Sequence, residues 1–195
     1  MPDKINLNKM MGRLLMDEFV EFSIDEDIDY NEDINYNNEK FKSVMHYIIN
    51  KSCLNTNVER TAIYTLLYFA DFDFYELYER SMTGETYIRK PIGSVPIHFT
   101  NAKNELINEG KIKEKTITYY KYEYSSLKEP DTSLLNNEDL TVIKDTINKL
   151  SNMTINELSN YNKGDLPWRV AENKDELGYE FVFYRNPEYS IREYD

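Results

Sequence analysis

One cysteine and two histidines are all the soft and imidazole ligands that this chain of 195 residues offers. Cys53 has no internal partner for a disulfide, so cysteine usage does not point to an oxidising compartment. His46 and His98 beside it are too few for a zinc site of the usual Cys/His kind. No apolar run approaches the roughly 20 residues that span a bilayer. Near the start, Arg13, Asp17 and Glu18 break up the stretch that a signal peptide would keep apolar. These absences read as a cytoplasmic protein that does not cross a membrane.

Basic residues are also scarce. Lys and Arg number 23 against 35 Asp and Glu, a formal net charge of −12. Nucleic-acid binding relies on bases that displace counterions, so this balance argues against a broad phosphate-binding surface. Motifs for chemistry are missing too. There is no G-x-S-x-G elbow, Walker loop or dinucleotide-binding glycine fingerprint, and Cys53 has no local His pattern. "GRLL" and "TGE" do not continue into Gly-rich turns followed by Lys-Thr or Lys-Ser. "RTAIYTLLYFAD" resembles no helix-turn-helix, because the helix after its turn has no Arg/Lys stripe. No catalytic residue, metal set or cofactor is assigned.

What the chain does have is acid, Tyr and Asn. Residues 17–33, "DEFVEFSIDEDIDYNED", carry nine acids and no base, which accounts for −9 of the −12. Asp25, Asp27 and Asp29 copy the first ligand spacings of a calcium loop. Tyr30 then stands where the loop needs Gly, and Tyr36 where it needs a bidentate Glu. Two readings remain for residues 1–37: a solvated acidic extension, since like charges repel, or an arm that docks on a basic partner. In the second, Phe19 and Phe22 are anchors, with Ile24 and Ile28 behind them, and Asp25, Asp27 and Asp29 supply the charge.

The globular part is expected over 38–195. Phe41, Val44, Met45, Ile48 and Ile49 repeat at the spacing of one buried helix face. A second helix is expected from an Asn57 cap to about Arg80, with Ile63, Leu66, Leu67, Ala70, Phe74 and Leu77 inward. "SMTGETYIRKPIGSVP" reads as a loop with a short extended piece at Tyr87 and Ile88. A helix starting near Pro96 and stopping at Gly110 follows. "KIKEKTITYYKYEYSSL" then reads as strand or hairpin beside the Tyr87 segment. Later helices carry Leu140, Ile143, Ile147 and Leu150 on one face, and Thr154 and Glu157 as a capping box. Pro167 and Trp168 follow a loop, and "YEFVFYRNP" reads as a last strand or buried segment. The fold class is α+β, predominantly α-helical with a small antiparallel sheet.

"LLYFADFDFYELYERSMTG" packs six aromatics around Asp71 and Asp73. Residues two apart on a helix diverge by about 200°, so the pair cannot act on one substrate. Asp71 borders the apolar face and needs Ser, Thr, Tyr or backbone donors from the following loop. Asp73 is expected in solvent.

The order of helix, turn, tyrosine and glycine here resembles the Panacea, or SocA-like, domain family. The likeness rests on Leu66 to Asp71, Thr83-Gly84, "ETYIRK" with Tyr87, and Gly93-Ser94-Val95. A later element runs from Leu158-Ser159 to Trp168, and the likeness covers roughly Glu39 to Ala171. Ser94 stands where the family usually has Pro. Asn160 stands where many members have a His, so no catalytic role of that His transfers. The resemblance implies structural or partner-binding roles for Tyr68, Asp71, Gly84, Tyr87, Gly93, Val95 and Trp168. It implies an antitoxin that binds a cognate protein toxin, often phage- or mobile-element-borne. The alternatives are an adaptor that delivers a partner to a protease, an enzyme of unrecognised type using Asp71 and Tyr87, or a DNA-binding autoregulator. The charge counts against the last.

Overall fold

A computed structural model describes residues 35–52, 58–118 and 121–192. The acidic arm with Phe19, Phe22, Asp25, Asp27 and Asp29 lies outside the described residues, as do Cys53 and Asn57. The α+β class, helix-dominated with small antiparallel sheets, is borne out.

Helix α1 (Asn38–Ser52) has Glu39 in its first turn and Lys51 in its last, both favourable to the helix dipole. It buries the expected Phe41, Val44, Met45, Ile48 and Ile49. Strand β1 (Val58–Glu59) leads into α2 (Arg60–Tyr78), so that helix starts after a short strand. It ends two residues earlier than expected, because Glu79 turns left-handed at φ 54°. Helix α2 is buried almost all round, the behaviour of a helix at the centre of a core. Leu77 is the correction on its expected face: it is 40% exposed.

The segment after α2 is a hairpin, not a loop with one extended piece. Strands β2 (Tyr87–Lys90) and β3 (Gly93–Pro96) pair antiparallel, with Ile88 opposite Val95 and Lys90 opposite Gly93. Pro96 therefore closes a strand, and α3 (Phe99–Asn108) begins later than expected. Gly110 does take the left-handed φ of 64° that a C′ stop requires. Strands β4 (Ile112–Thr118) and β5 (Lys121–Ser126) form a second hairpin. Its outer neighbour is β1, in the order β1-β5-β4, and not the Tyr87 strand. Both edges of β2 are already taken: β3 pairs along one, and on the other the Tyr87 carbonyl accepts from the Leu177 amide at 2.8 Å.

Helix α4 (Asn137–Leu150) opens on an Asn136–Asp139 capping box. It buries Val142 and Thr146 with Ile143, Ile147 and Leu150, while Leu140 is only half-buried. Helix α5 (Ile155–Gly164) carries the Thr154–Glu157 box that its spacing implied. Pro167 and Trp168 lie inside a short helix, α6 (Leu166–Val170), rather than after a loop. "YEFVFY" forms a 3-10 turn, η1 (Tyr179–Tyr184), and not a strand. Three residues per turn bring Tyr179 and Val182 to one side, against α2.

Candidate functional site

The C-terminal half of α2 places Asp71 and Asp73 on opposite sides, as helix geometry requires, and both are buried. Asp71 accepts hydrogen bonds from the Thr83 amide at 3.2 Å and from the Thr83 hydroxyl at 3.0 and 2.9 Å. The Tyr87 hydroxyl donates to the same carboxylate at 2.7 Å. One side chain thus ties α2 to the turn after it and to β2. Burial pushes the Asp71 carboxyl up to about 7, while the Tyr87 and Thr83 hydrogen bonds pull it back down. Burial holds the Tyr87 hydroxyl well above its ordinary value, so it stays a donor.

Asp73 is not in solvent. It accepts from Arg185 at 2.7 Å, and the same guanidinium nitrogen reaches Glu76 at 3.0 Å. The other edge of Arg185 grips Asp165 in a fork, at 2.9 and 2.6 Å. The Tyr68 hydroxyl donates to Asp165 at 2.8 Å. Burial pushes Asp73 up to about 6, opposed by the Arg185 charge. Three carboxylates around one guanidinium give the cluster an excess of acid, which only a fixed set of donors can hold inside a core. Ser190 donates its hydroxyl to Glu76, and Arg192 donates to the Glu76 carbonyl, so the C-terminal segment is laced to α2.

The other expected positions surround these two. Gly84 has φ +72°, and a Cβ there would come 2.0 Å from the Asn35 carbonyl oxygen. Next to it, the buried Glu85 accepts from His98 Nδ1 at 3.0 Å, and the Tyr36 ring stacks on His98 at 3.8 Å. Burial raises the Glu85 carboxyl, and the His98 hydrogen bond opposes it. Gly93, at φ +134°, lies under Asn162, whose side-chain oxygen accepts from the Ser94 amide at 2.7 Å and hydroxyl at 2.9 Å. Val95 is core. The Arg89 guanidinium lies 4.0 Å from the centre of the Trp168 ring.

Tyr68, Asp71, Gly84, Tyr87, Gly93, Val95 and Trp168 are therefore one scaffold around α2 and the β2–β3 hairpin. Sequence reasoning missed Glu76, Asn162, Asp165 and Arg185. Two had a readable signal. Asp165 precedes Leu-Pro as a helix cap would, and Arg185 is a base directly after the aromatic run "YEFVFY". Among the described residues, no group of His, Cys, Asp or Glu is arranged to hold a metal ion. No helix among them is long and apolar enough to cross a membrane.

The model of one family, antitoxin SocA-like, Panacea domain, matches residues 64–169, more than half of the chain. The chain belongs to that family. No curated protein and no solved structure matches it. All seven expected positions of the Panacea scaffold fall inside the match, as do Asp73, Glu76 and Asp165. Arg185, the cation that all three of those acids share, lies beyond it. The family's name points to an antitoxin role, and so to a non-enzymatic protein whose partner is a protein toxin.

Proposed function

We propose that this chain neutralises a cognate toxin by direct protein–protein binding in the cytoplasm. One observation carries the reading beyond the family: the polar side chains of Asp71, Thr83 and Tyr87 are spent on one another. Asp71 is 1% exposed with donors on both oxygens, and the Tyr87 hydroxyl that would assist it is committed to it. A group so occupied positions backbone; it does not exchange protons with a substrate. The unrecognised-enzyme alternative loses its two residues on this ground.

Recognition then falls to the outer surface of the globular part, 38–195, and to the acidic extension, 1–37. The extension would meet a basic toxin through Phe19 and Phe22, with Asp25, Asp27 and Asp29 steering the encounter. Complementary charge of this kind speeds association more than it tightens the complex. The test is co-expression with the neighbouring gene. Its product should be toxic alone, tolerated with this protein, and co-purified with it at an unchanged half-life. A harmless neighbour would sink the reading, and a shortened half-life would replace sequestration by delivery to a protease.

A further inference from the structure

A pocket of about 480 Å³ opens where the Ser81–Thr86 turn meets the segment Glu176–Phe181. That volume lies within the roughly 300–1,000 Å³ of ligand pockets. Its walls are aromatic: Tyr75 from α2, and Tyr179 and Phe181 from η1. The Tyr75 and Tyr179 rings are 5.2 Å apart and tilted by 46°. Tyr179 is fixed from behind, stacked on Phe72 at 4.2 Å and donating its hydroxyl to the Glu85 carbonyl at 2.7 Å. Gly84 forms part of the wall, and the Asp71–Thr83 hydrogen bonds set the residue just before it. The family scaffold thus holds this wall in place.

Two carboxylates complete the lining. Glu176 and Glu180 are both exposed, and among the described residues no cation pairs with either. Some surface acids do find bases, as Glu105 finds Lys42, Glu129 finds Lys51 and Glu138 finds Arg80, and what sets Glu176 and Glu180 apart is that they line an aromatic pocket. Aromatic faces attract a cation through their quadrupoles, and two unneutralised carboxylates add charge of the sign a cation seeks. An anion would meet the wrong field here.

Building on the antitoxin reading, we propose that this pocket receives a cationic side chain, arginine or lysine, from the toxin. Aromatic walls around a guanidinium or ammonium, closed by carboxylates, make a central anchor of the kind that dominates interface energetics.

The experiment has two arms on the full chain. In the first, acetyl-Gly-Arg-Gly-amide is titrated while backbone amide signals are followed by NMR, with the neutral citrulline tripeptide as control. The arginine peptide should shift Gly178, Tyr179 and Glu180, and the citrulline peptide should not. The Glu176→Gln/Glu180→Gln variant should weaken the arginine peptide by about tenfold or more. Both positions are exposed, so the variant should keep the wild-type melting temperature.

In the second arm, the same variant is co-expressed with the neighbouring toxin gene and should lose protection. Equal shifts from both peptides, or none at the pocket, overturn the inference. Undiminished protection by the variant overturns it as well, while leaving the antitoxin reading intact. Failure of the wild-type chain to protect would instead strike the antitoxin reading, and the toxin's role in the pocket with it.

Discussion

Asp73 and Arg185 stand 112 residues apart in sequence and 2.7 Å apart in the core. The guanidinium is wholly buried and shared with Glu76 and Asp165, so it neutralises acids from α2 and from the cap of α6 at once. Removing it would strand three carboxylates away from water. Breaking a buried pair from one side costs about 3–5 kcal/mol, because the remaining charge is uncompensated. Arg185→Met should therefore lower the unfolding free energy by that order in urea titrations. Part of the loss should be recovered at acid pH, where the stranded acids can take up protons. A loss below about 1 kcal/mol would show that the cluster is held by packing instead.

Asp71 makes stability depend on pH in the opposite direction to an ordinary salt-bridged acid. Its carboxyl is raised from 3.8 to about 7, so the folded chain holds a proton that the unfolded chain has released. The groups facing it are the Thr83 and Tyr87 donors and the Glu85 charge, the last of which favours the proton. The contribution is thus fully present below about pH 4 and is lost as pH rises through about 7. Asp71→Asn keeps the shape without the titration. The unfolding free energy of wild type relative to this variant should fall steadily between about pH 4 and pH 7 and level off above that. A difference that stays flat across that window would place the titration elsewhere.

Periodicity made the frame legible before any geometry was known. Phe41, Val44, Met45, Ile48 and Ile49 mark the buried face of α1, and the Thr154–Glu157 spacing marks the start of α5. The same logic failed on α2, because a helix buried all round has no wet face for its polar residues. Asp73 reads as solvated in a 3.6-residue repeat, and only a partner 112 residues away reverses that. Sheet pairing was hidden for a related reason. Strand-like composition at Tyr87 and at 112–126 says nothing about which edges meet, and β2 is filled by β3 on one edge and by the distant segment at Leu177 on the other. Asp71 was more readable, since its donors Thr83 and Tyr87 follow within 16 residues.

Gly84 and Gly110 share a positive φ, +72° and +64°, but differ in what surrounds them. At Gly110 an added Cβ would meet only the end of Lys128, at 3.8 Å. Gly110→Ala should cost about 1 kcal/mol, the price of the left-handed backbone alone. Gly84→Ala adds an overlap with the Asn35 backbone, where the chain crosses the turn and the Asn37 amide donates to the Thr83 carbonyl at 2.8 Å. Its loss should exceed that of Gly110→Ala by about 2 kcal/mol or more. Equal melting temperatures for the two variants would mean that the crossing gives way freely.

Ser94 and Asn162 form the contact that a proline at 94 would forbid, since proline has no amide hydrogen to donate. Here the amide and the hydroxyl of Ser94 converge on one oxygen, at 2.7 and 2.9 Å, and tie the β2–β3 hairpin to α5. Ser94→Pro should therefore destabilise this chain by about 1–3 kcal/mol, the cost of an unmet buried acceptor. The effect belongs to the pair and not to proline itself. Against an Asn162→Leu background, with the acceptor gone, the same substitution should cost less by about 1 kcal/mol or more. Urea unfolding of the wild type, the two single variants and the double variant measures that coupling directly. Strict additivity would show that Ser94 and Asn162 act independently and that proline is disfavoured here for its backbone alone.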